Sequence, residues 1–413
     1  MVVWRCYLPH MFKVPLASSG LRSDDIDCAI EVLQSGNLTM GKSVKTFEQA
    51  MAKYLKVEHF VMVNSGSSAN LLMLESLIRP SLSEPLLHPG DSVLVPAIAW
   101  PTTIWPVIQL GLNPIFVDID SETLALDLDA AQQVISKKKI PAKAIFPIHP
   151  LGLALSNQQL LEFSESNRLT LINDVCESLG SWEGGRHAGA IGSAASFSFY
   201  FSHHITTMEG GGVATNSLLI ADDLKSMRSH GWSRDRSDAQ TWHEGHSKTD
   251  SRFLFVSTGY NVRPMEIQAA IGLQQLMDLD KFIARRRNIA SQIFDLIDGS
   301  PLEIIGYNKF INQPTSHSWM LLPIRVTGKN AIERRRKIVD FLLEKGIETR
   351  PVLTGNFLAQ PAIQRITRQT MPPEAFKNAS LIASTSFLVS CHHDLNDDQV
   401  TYLGAQLEMA SRI

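Results

Sequence analysis

The run Ser196-Phe197-Ser198-Phe199-Tyr200-Phe201-Ser202-His203-His204-Ile205-Thr206-Thr207-Met208-Glu209-Gly210-Gly211-Gly212 carries the densest potential chemistry of the chain. Two adjacent histidines among hydroxyls could hold a metal ion. Adjacent residues do not face the same way, however, and no carboxylate or further histidine lies at ligand spacing around them. An acid–base role for one imidazole is the better reading, because neutral imidazole is available near pH 7.

Three further segments have the residue types of a ligand site. In Val63-Asn64-Ser65-Gly66-Ser67-Ser68-Ala69-Asn70 a strand ends, small residues follow, and an apolar helix begins at about Ala69. Small side chains let a ligand approach the backbone, and a helix N-terminus offers free N–H groups to a phosphate. The same pattern also fits an ordinary serine-capped turn. In Leu171-Ile172-Asn173-Asp174-Val175-Cys176-Glu177-Ser178 an acid stands at the end of a buried strand, where α/β sheets place ligand-binding groups. A carboxylate buried there needs a partner. A protonated ring nitrogen would serve, and a helix cap by Asp174 is the plainer alternative. Gly259-Tyr260-Asn261-Val262-Arg263-Pro264 reads as a turn before a long helix, with Pro264 at its first position.

The elements that must position these residues follow from the apolar pattern. The short runs 60–63, 92–95, 114–117, 144–148, 170–172, 195–199 and 212–214 alternate with helix-like stretches. Most are apolar on both faces, as strands covered by helices on two sides must be. This predicts an α/β domain with a mainly parallel sheet. A helix is expected over 24–35, opened by Ser23, and one long helix from Met265 to about Ile297. Beyond about residue 300 the pattern predicts a strand at 318–326, a helix at 331–345, a strand at 348–352 and a last helix at 396–411. The division that results is a large domain over 1–297 and a smaller α+β domain over 298–413.

The chain has 413 residues, 44% hydrophobic and 19% charged, with a formal charge of −3. A sizeable core is possible, and nothing in the charge balance favours nucleic acid as a partner. No stretch approaches the ~18 apolar residues of a membrane span. The start, Met1-Val2-Val3-Trp4-Arg5-Cys6, lacks the pattern of a secretory signal. Cys6, Cys28, Cys176 and Cys391 are scattered without a CxxC pair. The expectation is a cytoplasmic enzyme with no metal and no iron–sulfur cluster. Lys137-Lys138-Lys139 reads as a solvated helix end.

In their order and spacing, the four motifs resemble the fold type I pyridoxal-phosphate enzymes of the sugar-nucleotide aminotransferase family. The likeness runs from Pro15-Leu16-Ala17-Ser18-Ser19 to Arg350-Pro351-Val352-Leu353-Thr354-Gly355-Asn356-Phe357 and takes in His230-Gly231-Trp232. That family carries its cofactor-binding lysine six residues ahead of the glutamate that matches Glu209. Here the position is His203, and no lysine occurs between Lys143 and Lys225. A histidine there marks the sugar 3-dehydratases. One branch of these enzymes uses an iron–sulfur cluster on four grouped cysteines, which this chain lacks.

The resemblance implies roles. Asp174 would pair with the pyridine nitrogen of pyridoxal or pyridoxamine 5'-phosphate, and Trp100 would stack on the ring. Gly66 and Ser67, with Ser198, would hold the phosphate. Glu177, where aminotransferases usually have glutamine, would lie near the cofactor hydroxyl. Asn261 would serve the phosphate of a partner subunit, which implies a homodimer. His203 would be the base and His204 structural. His230, Arg234 and Arg350 are candidates for a nucleotide-linked 4-keto-6-deoxy sugar or for the carboxylates of L-glutamate. The implied reaction removes the sugar C3 hydroxyl, and glutamate then restores the amine form of the cofactor. The alternatives are an aminotransferase using another lysine and a non-catalytic binder. Departures from the pattern are Cys391-His392-His393, whose cysteine stands where a glycine is expected, and a longer N-terminus.

Overall fold

Residues 12–138, 141–366 and 372–413 are described by the computed structural model. The segment Met1–Cys6 and Lys139, on which two expectations rest, lie outside them.

All seven apolar runs become strands of one sheet. They are β1 (His59–Val63), β2 (Ser92–Pro96), β3 (Asn113–Val117), β4 (Ala142–Ile145), β5 (Thr170–Asp174), β8 (Ala194–Ser198) and β9 (Gly211–Thr215), with the small hairpin β6 (Trp182–Glu183) and β7 (Arg186–His187) set between. The sheet order is β1-β9-β8-β5-β4-β2-β3. Only β9 runs against its neighbours. Burial on both faces explains the lack of polar alternation. Val93, Val95 and Ile172 pack into one core, and Leu94, Ile145 and Leu171 into another on the opposite face.

A second, antiparallel sheet has the order β10 (Leu302–Ile304), β11 (Leu322–Val326), β12 (Ser386–Val389). Helices Ala331–Glu344 and Asp397–Ala410 contribute Ile338, Leu342, Leu403 and Leu407 to its core. That core also takes Val14 and the last turns of helix Leu279–Ile297, through Ile289, Ile293 and Ile297. The N-terminal segment is pinned there by hydrogen bonds from Lys13 N to Gly346 O and from Glu348 N to Val14 O.

Four expectations need correction. The long helix is two helices, Glu266–Leu276 and Leu279–Ile297, broken at Met277-Asp278. Apolar spacing continues across the break, so periodicity does not reveal it. Asp278 leaves the helical path and binds Arg22 and Lys281. The strand expected over 318–326 begins only at Leu322, because Ser318 and Met320 donate instead to Gly152 and Leu151. The strand expected over 348–352 is a single bridge between Arg350 and Leu388. The first ligand-site helix starts at Gly66, three residues earlier than the apolar run suggests.

Candidate active site

The site lies where β1, β5 and β8 end, at the carboxyl edge of the sheet, as expected for an open α/β fold. Ser65 caps helix Gly66–Ile78 by accepting from Ser68 N at 3.1 Å, and the Ser68 hydroxyl donates to Asn64 Oδ1 at 2.7 Å. At Gly66 the first turn is packed too closely for a side chain. A Cβ on Gly66 would stand 2.6 Å from Ser198 Cβ, and one on Gly211 would stand 2.5 Å from Gly66 N. Ser67 is exposed beside them and Ser198 is half-buried. The arrangement presents backbone N–H groups, a helix N-terminus and two hydroxyls to one spot, which suits a phosphate.

Asp174 ends β5 and is buried. Its Oδ2 accepts from Asn70 Nδ2 at 2.9 Å and Thr103 Oγ1 at 2.7 Å, and its Oδ1 from Cys176 N at 3.1 Å. Those three donors fix the orientation of the carboxylate at the strand end, where it could meet a cationic ring nitrogen. Asn70 lies one turn beyond Gly66 on the same helix, so the phosphate cradle and the acid are rigidly linked. Thr103 lies in the first turn of helix Pro101–Gln109, whose N-terminus is Trp100. Trp100 is half-exposed, which leaves its indole face available for stacking.

Beyond β8 the chain makes a loop that opens at Phe199 and closes at Gly210, tied by Phe199 N to Gly210 O and Thr207 N to Phe199 O. His203 is in this loop, and its Nδ1 is buried with no partner. Burial, reinforced by the charges of Arg350 and Arg286, holds its pKa down to about 3. Glu177 is buried too and accepts from Leu151 N at 2.9 Å. Burial pushes its carboxyl up to about 7, against the pull of the Leu151 N–H and of Arg350. Arg350 therefore acts on both His203 and Glu177, and its own Nε is buried without a partner. The His204 imidazole is buried, and desolvation holds its pKa well below the ordinary value.

The structure gathers Gly66, Ser198, Asp174 and Glu177 around the strand ends, with His203 and Arg350 in electrostatic contact. His230, Arg234 and Asn261 are exposed on the segment 228–263 instead. Asn261 pairs its backbone with Ser229, and its side-chain oxygen takes Arg263 Nε at 3.0 Å. The neighbouring Val262 O accepts from Asn64 N, which sets this segment beside the phosphate turn. Arg234 lies over the Trp232 ring at 4.3 Å. Sequence reasoning assigned no role to Asn70, Thr103, His149 or Arg286. Asn70 stood within a quoted motif but without a partner to give it meaning. His149 is buried and accepts from Leu155 N on Nδ1, so its Nε2–H faces Asn173 Oδ1 at 3.2 Å.

Among the described residues, no group of three or more His, Cys, Asp or Glu side chains is placed to hold a metal ion. Cys28, Cys176 and Cys391 are free thiols. No helix of the described residues is long and apolar enough to cross a membrane.

The fold and this site define a member of the aminotransferase-type α/β enzymes. Residues 20–408 match the DegT/DnrJ/EryC1/StrS aminotransferase family, and the chain belongs to it. It is 36% identical over 390 residues to GDP-4-keto-6-deoxy-D-mannose 3-dehydratase of Yersinia pseudotuberculosis, covering 94% of this chain and 96% of that one. Among solved structures it is similar to the E. coli GDP-4-keto-6-deoxy-D-mannose-3-dehydratase with bound hydrated PLP, at TM-score 0.85 and 34% identity. A structure of GDP-4-keto-6-deoxymannose-3-dehydratase with a trapped PLP-glutamate geminal diamine also superposes at TM-score 0.85, with 33% identity. Both superpositions cover 96% of this chain and 100% of the other.

Proposed function

We propose that this protein is a pyridoxal-phosphate-dependent 3-dehydratase of a nucleotide-linked 4-keto-6-deoxy sugar in deoxysugar biosynthesis. L-Glutamate returns the cofactor to its amine form, and the active unit is a homodimer. The observation that carries the reading is His203: a half-buried imidazole whose Nδ1 is buried without a partner stands where the family's lysine is expected, beside the residues that would hold the cofactor. The relatives named above act on a GDP-linked sugar, which makes GDP the first nucleotide to test.

The residues fit the cofactor. The helix N-terminus at Gly66, packed closely against Ser198 and Gly211, would meet the phosphate, with Ser67 and Ser198 as hydroxyl donors. Asp174, held by three donors, would bind the ring nitrogen, Trp100 would cover the ring, and Glu177 would face its hydroxyl. When bound, the cofactor supplies an electron sink for the bond broken beside its amine. His203 takes the proton at the cofactor's C4′ carbon and returns a proton to the departing C3 oxygen of the sugar. An imidazole cannot hold the cofactor covalently, so binding rests on the phosphate, nitrogen and stacking contacts. Arg350 has an unpartnered buried nitrogen near both His203 and Glu177, which suits a substrate carboxylate or hydroxyl. His230, Arg234 and Asn261, exposed in one subunit, are assigned to the site completed by the partner. We divide the chain into a cofactor domain over 1–297 and a smaller domain over 298–413, and we place the enzyme in the cytoplasm.

The test is incubation of purified protein with PLP, L-glutamate and a panel of nucleotide 4-keto-6-deoxy sugars. The expected products are a 3-deoxy-4-keto sugar nucleotide, ammonia and 2-oxoglutarate, read by mass spectrometry. An amino sugar in place of the 3-deoxy sugar would establish the aminotransferase alternative. Absence of turnover with every sugar, in a dimer that holds the cofactor, would leave only a binding role.

A further inference from the structure

Arg286 is a buried cation with no ion-pair partner among the described residues, set against the loop that carries His203. It lies on helix Leu279–Ile297 and is 1% exposed. Its Nη1 donates to the carbonyls of Trp319 at 3.1 Å, Met320 at 3.0 Å and Cys391 at 3.3 Å, and its Nη2 to the carbonyl of His203 at 3.4 Å. Its Nε is buried and unpartnered. No carboxylate forms an ion pair with it among the described residues. Asp394, the carboxylate whose field reaches it, pairs with the Ser18 hydroxyl and lies 3.6 Å from His393. Burying a charge this way is costly, and an apolar side chain of similar volume would avoid the cost.

The surroundings give the charge a use. Arg286 and His203 line the same narrow cavity, together with Ser18, Gln275, His392 and His393. The groups facing His203 are Arg286 from the long helix, Arg350 from the bridge to β12, Tyr200 and His204 on its own loop, and His392 and His393 across the cavity. We infer that Arg286 is a positioning residue for His203: its planar fork ties the His203 loop to three carbonyls of the small domain, and its fixed charge, added to that of Arg350, disfavours a further positive charge in the cavity that His203 lines. This rests on the reading of His203 as the base.

Two features support the inference. The two terminal nitrogens of the guanidinium reach opposite sides at once, Nη1 toward the carbonyls of Trp319, Met320 and Cys391 and Nη2 toward that of His203; a lysine has one ammonium on a flexible stem. The charge also bears on every imidazole around the cavity in one sense. After burial, and for His203 after Arg350 as well, Arg286 lowers the proton affinity of His203, His204, His392 and His393 alike. None of the neighbouring rings is then a competing proton store. Arg286 itself is drawn down only to about 10 by burial, so it stays charged at neutral pH.

The test compares Arg286→Met, which removes fork and charge, with Arg286→Lys, which keeps the charge. The first readout is the ring 13C resonance of His203 in cofactor-free protein, assigned by its loss in His203→Asn. The second is the pH profile of kcat. In wild type the His203 ring should stay neutral down to the acid limit of folding. In Arg286→Met it should begin to protonate about one pH unit higher, within the folded range, as loss of a nearby charge predicts. The acid limb of kcat should move with it, while KM for the sugar changes little. Arg286→Lys should keep the wild-type titration yet lower kcat, because the carbonyl ties are loosened. Should Arg286→Met be too unstable, Arg286→Gln carries the same test. A folded neutral variant whose His203 ring stays neutral over the same range as wild type overturns the inference, as does Arg286→Lys shifting as far as Arg286→Met. The titration needs no turnover. A shift in a protein that dehydrates no sugar would refute the proposed function alone, and turnover without a shift would refute this inference alone.

Discussion

Gly66→Ala tests the phosphate cradle without touching a charged group. The added Cβ would lie 2.6 Å from Ser198 Cβ, 3.0 Å from Ser198 Oγ and 3.2 Å from Cys176 Sγ. Carbon atoms in contact prefer about 3.5–4.0 Å, so something must move by roughly 1 Å. The helix has little room to retreat, because Gly211 already packs so closely that a Cβ there would stand 2.5 Å from Gly66 N. The strain falls on the first turn and on Ser198, the groups assigned to the phosphate. Overpacking of this kind costs about 1–3 kcal/mol of stability. Displacing one charge-assisted hydrogen bond to a phosphate costs about 1.5–3 kcal/mol of binding. At about 1.4 kcal/mol per tenfold, PLP affinity should fall about 10- to 100-fold. The assay is equilibrium titration of cofactor-free protein with PLP and, in parallel, with pyridoxal, which lacks the phosphate. The variant should lose affinity for PLP while its weaker affinity for pyridoxal stays nearly constant. Unchanged PLP affinity in a folded variant, or an equal loss for both ligands, refutes the cradle.

Other perturbations probe the remaining parts. Asp174→Asn should lower dehydration by about 10²–10⁴-fold while PLP is still retained through its phosphate, measured by kcat and by cofactor titration. His203→Lys should create a borohydride-trappable cofactor–lysine link at position 203 and cut dehydration about 10²–10⁴-fold; peptide mapping that finds the link on another lysine counts against the assignment. His204→Asn should do far less, and a greater loss there than in His203→Lys would reverse the two roles. Stability should fall on acidification. His149 and His392 are held at about 4 and His187 at about 3, mainly by burial, so the unfolded chain takes up protons below ~6.5 that the native protein refuses. Each such histidine costs about 2 kcal/mol at pH 5, at about 1.36 kcal/mol per unit. Glu177, raised to about 7, opposes this in part, since its contribution is present at low pH and is lost as pH rises through 7. Thermal melts at pH 5 and 7 check the balance, and a Tm at pH 5 equal to or above that at pH 7 contradicts it.

The large sheet was legible because each strand is a short apolar run bounded by turns, and burial on both faces leaves that signature in the residues themselves. Where the outcome hung on a partner far along the chain, the residues were silent. The break at Met277-Asp278 depends on Arg22, some 250 positions earlier, and the loss of strand at Ser318–Leu321 depends on carbonyls at Gly152 and Leu151. The same contrast holds in the site. Gly66, Asp174 and Ser198 sit in local motifs whose spacing already suggests a ligand, and the fold gathers them. Asn70 and Thr103 gain meaning only once Asp174 lies between them. Arg286 belongs to no motif; its role exists only where four carbonyls meet.

Replacing lysine by histidine changes what the rest of the pocket must do. A lysine holds its cofactor by a bond, and pocket contacts then only orient it. With His203 the same contacts must supply all of the affinity, which accords with the triple hydrogen bonding of Asp174 and the close-packed turn at Gly66. On the proposed reading the base must also be free at rest, because no lysine amine is present to be exchanged. Burial and two arginines accomplish this for His203, while burial drives Glu177 the other way, to about 7. Burial thus favours the uncharged form of both groups beside Arg350: on the proposed reading His203 is free to take up a proton, while Glu177 faces the cofactor hydroxyl. On that reading a single imidazole serves both proton movements, taking the proton from carbon and returning one to the departing hydroxyl, as a group that starts uncharged can.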